Sequence, residues 1–263
     1  MTIQLPFAVV PLDLGTITTG NARANRPASH LGLLKHIALV WQTAGPANVW
    51  ARGDFGDPRD VDFCALVSAT ALPGTTIRVR LDDAPIGAGP YLYDSGDLPF
   101  INPAITRADG LYHSHLELPS VVNARYWRID IGGHTGDFSA SSLVLGRKIR
   151  PSTYYDKDFK FDVEDLGTLD ITRWGVPDEA GGVILRTLAL KFGWLSDADY
   201  EDKFRPLAEG LGKRGISYWC FDPEPSTRRQ AKTYLGWFKS LPYATGAVQA
   251  GRYESEFEIR SMI

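Results

Sequence analysis

The stretch DVDFCALVSATALPGTTIRVRLD, residues 60–82, contains two segments in which apolar and polar residues alternate. In the second segment, Ile77, Val79 and Leu81 alternate with two arginines. A third segment of this kind opens the stretch ARYWRIDIGGHTGDFSASSLVLG, residues 124–146. Alternation with a period of two puts one set of side chains in a core and the other towards solvent. The pattern therefore predicts an antiparallel sandwich rather than a helical or doubly wound fold.

The same alternation predicts which side chains of the first and third segments share the core face of their strands. The intervening residues, such as Cys64 and Leu66 in the first segment, are then expected on the opposite face. The predicted core set is Val61, Phe63, Ala65, Val67, Trp127, Ile129 and Ile131.

These segments also resemble those of a known family. WARGDFGDPRDVDFCALVSAT, residues 50–70, is similar to the front strands of galactose-binding-domain-like jelly rolls. ARYWRIDI (124–131) and SSLVLGRKI (141–149) resemble two later strands of that group. Members that look most like this chain, with a second half similar to residues 160–263, are structural proteins at the tail tip of long-tailed bacteriophages. The resemblance is strongest over residues 45–150.

The positions of prolines and glycines, which interrupt helices and strands, divide the chain into three predicted parts. Residues 1–28 are expected to form an extended arm that reaches a neighbouring subunit, or else to add a strand to the chain's own sandwich. Residues 29–150 form the predicted jelly roll. Residues 151–263 are expected to form a mainly β sandwich or barrel with one packed helix, similar to tail-tube and distal-tail proteins.

One helix is predicted in the last part, beginning at Ser196. The Ser196 hydroxyl and Asp199 match a capping box, in which side chains satisfy the free N–H groups of the first helical turn. Pro206 is expected to kink or tighten this helix. Its apolar face is predicted to consist of Tyr200, Phe204, Leu207 and Leu211.

Composition excludes several classes of protein. The net charge is −3 and the 28 Lys and Arg residues are dispersed, so no basic stripe for nucleic acid is present. Cys64 and Cys220 are expected to be small buried hydrophobes rather than a disulfide, which fits folding in a reducing cytoplasm. The N-terminus has no positively charged region of a signal peptide, and no stretch approaches the ~20 apolar residues of a membrane span.

The sequence contains no phosphate loop, CxxC, HExxH or GxSxG motif, so neither an enzyme nor a cofactor is predicted. His113, His115 and Glu117 fall on one face of a strand and could bind zinc. An exposed polar strand face is the favoured alternative. Asp54, Asp57 and Asp60 are candidate ligands of a calcium site. The alternative, that they are ordinary surface carboxylates, is favoured.

Aromatic residues are the strongest candidates for binding. Exposed tryptophan and tyrosine rings can stack on sugars, although large aromatics also fill cores. Bulky aromatics where strands meet loops are alternatively lids of the core or anchors of an interface. The candidate glycan contacts are Trp50, Tyr91, Tyr93 and Tyr112, and the candidate subunit contacts are Phe7, Trp174 and Trp194.

The resemblance implies a structural component of a phage tail tip or baseplate, located in the virion and made in the host cytoplasm. Copies of the chain would form a ring, as a hexamer or trimer, which joins the tail tube to the tip complex. The implied partners are other copies, the tail tube, the tape-measure and tip proteins, and a host surface glycan bound weakly. The alternative is a stand-alone carbohydrate-binding protein.

Overall fold

A computed structural model describes residues 4–87, 89–247 and 249–263. The chain forms two compact units. We call the first the jelly-roll unit, which comprises residues 9–148 and 224–231. We call the second the C-terminal unit, which comprises the residues up to Ala8, 149–223 and 232–263.

The borders of these units differ from the predicted borders at 28/29 and 150/151. The chain passes into the jelly-roll unit after Ala8 and leaves it after Lys148. Residues 9–28, expected as an arm, therefore belong to the jelly-roll unit, and the strand Thr16–Thr19 pairs with the strand that begins at Trp50. This pairing corresponds to the alternative in which the N-terminal segment adds a strand to the chain's own sandwich.

The chain begins with strand β1 (Phe7–Val9), which belongs to the sheet of the C-terminal unit. Strands of the jelly-roll unit pair in antiparallel fashion, and the unit also contains a 3₁₀ turn at Ala28–Gly32. Its strands are β2 (Thr16–Thr19), β3 (Trp41–Gln42), β4 (Trp50–Val67), β5 (Thr76–Asp82), β6 (Tyr93–Asp94), β7 (Leu98–Pro99), β8 (Leu116–Gly132), β9 (Ser139–Ala140) and β10 (Ser142–Gly146).

The main sheet of this unit has the order β10-β4-β8-β5-β6, with β2 beside β4 and β7 beside β5. A smaller sheet consists of β3 and β9. The alternation predicted for β5 and β8 is confirmed, because the inward residues are buried and the arginines between them face outwards. The buried inward residues are Ile77, Val79, Leu81, Trp127, Ile129 and Ile131.

The prediction for β4 is wrong in its second half. Between the pairs Val61–Val122 and Phe63–Glu117, β4 advances by two residues and β8 by five, so this bulge shifts the register by three residues. An odd shift reverses which side chains face the core. Val61 lies in the core as predicted, but beyond the bulge Cys64 and Leu66 lie in that core cluster. The predicted residues Phe63, Ala65 and Val67 are buried but are not part of the cluster.

The C-terminal unit is built around a sheet of order β11-β1-β16-β17-β19-β15-β12, in which β18 also pairs with β19. The hairpin of β13 and β14 forms a separate two-stranded sheet. The strands are β11 (Lys148–Ile149), β12 (Lys160–Asp165), β13 (Thr168–Ile171), β14 (Pro177–Ala180), β15 (Ile184–Ser196), β16 (Ser217–Cys220), β17 (Thr233–Phe238), β18 (Tyr243–Gly246) and β19 (Arg252–Ser261).

The predicted helix is present and packs on the core of this unit. It consists of α1 (Asp197–Asp199), a π-helical turn (Tyr200–Phe204) and α2 (Arg205–Leu211). The Ser196 hydroxyl accepts a hydrogen bond from the Asp199 amide at 3.1 Å, as the capping pattern predicts. Pro206 has no N–H, and its ring crowds the carbonyl four residues earlier, so the helix widens into the π turn instead of tightening.

Both cysteines are buried, as predicted, and neither is part of a disulfide. Burial raises the pKa of the Cys64 thiol to about 12, so this thiol stays protonated at neutral pH. Among the described residues, no helix combines the length and apolarity that a membrane crossing requires.

Candidate functional site

The jelly-roll unit presents a polar surface on the outer side of four neighbouring strands. Arg52 in β4 lies opposite Arg128 in β8, and Arg128 lies opposite Arg80 in β5. These side chains face outwards because the residues next to them in each strand point into the core. We call this surface the arginine face, and define it as Thr16, Thr18, Trp50, Arg52, Asp54, Arg78, Arg80, Tyr126, Arg128 and Asp130.

Ion pairs cross-link much of the arginine face. Asp130 accepts hydrogen bonds from Arg80 and from Arg128, the latter at 2.7 Å. Arg78 donates to Asp94 in β6, with a distance of 2.8 Å from Nε to Oδ1. This pairing lowers the pKa of Asp94. The pairs hold charged side chains of three strands in fixed positions before any ligand arrives.

Two of the four predicted glycan contacts meet at this face. The guanidinium groups of Arg128 and Arg52 lie 4.6 and 5.3 Å from the centre of the Trp50 ring. Tyr91 lies in the loop after β5, where its hydroxyl donates to the Gly87 carbonyl at 2.6 Å. Arg80 lies over the Tyr91 ring at 5.3 Å and donates to its hydroxyl at 3.1 Å. Trp50 and Tyr91 are therefore connected through Arg128, Asp130 and Arg80.

The other two predicted glycan contacts lie elsewhere. Tyr93 pairs with the inward residue Leu81, packs on the core, and has its pKa raised by burial. Tyr112 is only 8% exposed and is part of the core. Its hydroxyl accepts a hydrogen bond from the Arg107 amide at 3.3 Å. Tyr112 is thus buried, whereas Tyr93 is partly buried and packs on the core away from the arginine face.

A hollow of about 280 Å³ opens on the arginine face. Gly53 is one of the residues that line it, and only a glycine fits there because a Cβ atom would lie 2.7 Å from the buried Trp127 ring. Arg125 donates to both carboxylate oxygens of Asp54 at 2.8 Å. This hydrogen bonding lowers the pKa of Asp54 to about 2. The other residues that line the hollow are Thr16, Thr18, Arg52, Asp54, Pro85, Ile86, Tyr126 and Trp127.

Of the residues of this hollow, the sequence indicates only Asp54 for binding, and there as a candidate calcium ligand rather than a sugar contact. One signal could have found some of them, because Arg52 and Asp54 alternate with Ala51 and Gly53 and so share the outer face with Trp50. Thr16 and Thr18 carry no comparable signal, since β2 is short and its pairing with β4 is not visible in the sequence.

The candidate metal ligands do not form a metal centre. His113 is 5% exposed and the His115 side chain is also buried, so the predicted exposed strand face is wrong for both. Burial lowers the pKa of His115, which keeps its imidazole neutral. The Glu117 carboxylate lies 3.1 Å from the His115 imidazole and 3.0 Å from the Lys148 ammonium group. Across residues 4–87, 89–247 and 249–263, no group of three or more metal-ligating side chains is found.

The three candidate subunit contacts differ in exposure. Phe7 is buried beneath the Arg150 guanidinium, whereas Trp194 is 52% and Trp174 is 77% exposed. Trp174 lies at the tip of residues 168–180, which we call the apolar hairpin. Its exposed apolar side chains are Leu169 (69%), Ile171 (74%), Trp174 (77%) and Val176 (56%).

No protein-family model and no curated protein sequence matches this chain. Among solved structures, it is similar to the lectin domain of lectinolysin complexed with Lewis B antigen, with 13% identity and a TM-score of 0.38. That match covers 51% of this chain and 92% of the domain.

The chain is also similar to a Streptococcus pneumoniae fucose-binding module, with 13% identity, a TM-score of 0.39, and coverage of 52% of this chain and 96% of the module. It is similar as well to chitosan-binding module 1 of a Paenibacillus sp. IK-5 chitosanase/glucanase, with 17% identity and a TM-score of 0.38. That match covers 53% of this chain and 98% of the module. These structural neighbours are carbohydrate-binding jelly-roll modules, and the likeness concerns the fold of about half of the chain.

Proposed function

We propose that the jelly-roll unit binds a saccharide in the hollow of the arginine face. The observation that carries the proposal is the set of groups around this hollow. Tyr126 offers an aromatic ring, two threonines offer hydroxyls, Arg52 offers donors and Asp54 offers acceptors. Sugars present apolar C–H faces and rings of hydroxyl groups, so they are recognised by one aromatic surface together with a few fixed polar groups.

The rigidity of the hollow supports this proposal. Its polar side chains stand on paired strands rather than on free loops, and Asp54 is fixed by Arg125. A site that is ordered before binding loses little conformational freedom when the ligand arrives. The volume of about 280 Å³ lies near the lower end for small-molecule sites, which suits one or two sugar units at the end of a glycan.

A panel of neutral and acidic oligosaccharides tests the proposal with the whole chain. Tyr126→Ala is expected to weaken binding of the best ligand about tenfold, the equivalent of one aromatic contact of roughly 1.4 kcal/mol. The matched control is Tyr243→Ala, which removes an exposed tyrosine of the C-terminal unit and is expected to leave binding unchanged. Absence of binding to every panel member, or equal binding by both variants, would contradict the proposal.

A second candidate function is the structural role that the sequence resemblance implies. In this role, copies of the chain form a hexameric or trimeric ring that joins a phage tail tube to its tip complex. The apolar hairpin supports it, because four large apolar side chains that are more than half exposed are typical of a protein–protein contact. We infer that this hairpin is the contact used in assembly.

Measurement of the mass of the purified chain over a wide concentration range tests this second role. Oligomers are expected to appear as concentration rises, and the double variant Ile171→Ser with Trp174→Ser is expected to remain monomeric. Val121→Ser, which changes an exposed apolar residue of the jelly-roll unit, is the control. A chain that stays monomeric throughout, also when mixed with tail-tube protein, would contradict the role of the hairpin.

A further inference from the structure

Charges on the arginine face are not fully balanced. Asp54 forms an ion pair with Arg125, and Asp94 forms one with Arg78. Asp130 forms ion pairs with both Arg80 and Arg128. Arg52 differs from the other arginines there, since no carboxylate of the described residues lies within ion-pair distance of it. Its Nε donates a hydrogen bond to the Thr18 hydroxyl at 3.2 Å. Its two terminal nitrogens donate to no acceptor among the described residues.

The position of Arg52 adds to this imbalance. Arg52 lies directly opposite Arg128 on the neighbouring strand, and both guanidinium groups lie within 5.3 Å of the centre of the Trp50 ring. Like charges opposite each other on paired strands destabilise the pair. An anion bound beside them would relieve this repulsion, so the face is most complementary to a ligand that carries negative charge.

We propose that the saccharide of this site is acidic, and that Arg52 binds its oxyanion. The two terminal nitrogens of a guanidinium group match the two oxygens of a carboxylate or sulfate in a paired hydrogen-bond arrangement. The Thr16 and Thr18 hydroxyls, at the same hollow, supply further donors. Asp54 does not oppose the anion strongly, because both of its oxygens already accept hydrogen bonds from Arg125.

This inference rests on the proposed saccharide function and specifies its ligand class. The experiment measures the affinity of the whole chain for two acidic probes, an oligogalacturonate and a sulfated galactan oligosaccharide. Each is paired with its uncharged counterpart, the methyl ester and the desulfated oligosaccharide. The variants are Arg52→Gln and Arg107→Gln, which remove the same charge; Arg107 pairs with Asp109 and lies outside the arginine face.

An acidic probe is expected to bind at least tenfold more tightly than its uncharged counterpart. Arg52→Gln should abolish this difference, while Arg107→Gln should preserve it. Preference for the carboxylate or for the sulfate then identifies the oxyanion. Circular dichroism confirms that the variants are folded, and Arg52→Lys, which keeps the charge but not the paired geometry, is expected to be intermediate.

Three results would overturn the inference. Equal binding of charged and uncharged probes, lost in Tyr126→Ala, would refute the acidic class and leave the proposed saccharide function standing. Equal losses in Arg52→Gln and Arg107→Gln would assign the preference to general charge attraction rather than to Arg52. Absence of binding to these probes and to the whole neutral panel would refute the inference and the proposed function together.

Discussion

The arginine face and the apolar hairpin are both exposed surfaces, but the first consists mainly of charged side chains and the second mainly of apolar ones. On the arginine face, charged side chains pair with one another across three strands, and among the described residues only Arg52 of these arginines has no carboxylate within ion-pair distance. On the hairpin, Trp174 is 77% and Ile171 is 74% exposed. Water solvates the first surface well and the second poorly.

The difference teaches what kind of partner each surface suits. A polar face with fixed charges is stable by itself and recognises a small polar ligand through the few groups that remain available. A two-stranded hairpin is marginally stable in isolation and gains from having its apolar side chains covered by another protein. The proposed ligand binding and the proposed assembly are therefore assigned to two separate regions, and variants can address each of them alone.

The largest effect on stability is expected beneath the arginine face. Trp127 lies between Tyr126 and Arg128 in β8 but points to the opposite, inner face of the sheet, where it is fully buried. Its Nε1 donates a hydrogen bond to the Leu14 carbonyl at 3.1 Å. Trp127→Ala should lower the free energy of unfolding by about 3–5 kcal/mol, because a large cavity remains in the core. Urea unfolding measures the change, and hydrogen exchange locates it. A loss below about 1 kcal/mol, like that expected for Trp174→Ala, would show that the core does not support the face as described.

A smaller, pH-dependent effect is expected at the start of the helix. Asp199 is 2% exposed; burial by itself would raise its pKa, but hydrogen bonds from Lys203 and Ser152 outweigh it and lower the pKa. A lowered pKa stabilises the fold fully above the ordinary carboxyl value near 4, and this contribution is lost as the pH falls below it.

Asp199→Asn should therefore cost about 1–3 kcal/mol at neutral pH, the range for hydrogen bonds to charged groups. The deficit relative to the natural chain should shrink as the pH falls below about 4. Asp202→Asn, at an exposed position of the same helix, is the matched control. Chemical unfolding at a series of pH values measures both, and a pH-independent deficit would contradict the role of the Asp199 charge.

A third prediction concerns the charge pairs of the arginine face rather than stability. The hydrogen bonds from Arg125 lower the pKa of Asp54 to about 2. Arg125→Gln should raise that pKa towards the ordinary value near 4. Titration of the Asp54 carboxyl carbon by NMR measures it. Arg107→Gln should leave Asp54 unchanged and shift Asp109 instead, and a constant pKa of Asp54 in Arg125→Gln would show that the pair does not persist in solution.

The smallest effect on folding is expected at the apolar hairpin. Ile171→Ser with Trp174→Ser removes side chains that are mostly exposed, so the free energy of unfolding of the monomer should change by no more than about 0.5 kcal/mol. Urea unfolding at low protein concentration measures it. A loss of several kcal/mol would indicate that these side chains stabilise the chain itself, and the contrast between the two surfaces would no longer hold.

The sequence predicted the parts of the fold that depend on local periodicity. Alternation in β5 and β8 correctly assigns core and surface, and Ser196 correctly marks the start of the helix. The inward set of β4 was predicted wrongly after Val61, because a bulge depends on pairing with another strand rather than on the residues of β4 alone.

The candidate site was predicted only partly, for a similar reason. The aromatic candidates Trp50 and Tyr91 each contact an arginine of the arginine face, but neither lines its hollow. Tyr93 and Tyr112 were selected on the same ground, but residue type does not tell whether a tyrosine in a loop-rich segment points inwards. Thr16 and Thr18 enter the site through long-range pairing of β2, which no local pattern reveals.

The pairing of β2 with β4 also has a consequence for the synthesis of the chain. Thr16 and Thr18 are made early, Arg52 and Asp54 later, and Tyr126 last, yet all five side chains surround one hollow. Closing contacts between such distant segments is slow compared with forming local structure. The chain emerging from a ribosome therefore carries the parts of this hollow long before it can assemble them, and the hollow is complete only after β8 has been made.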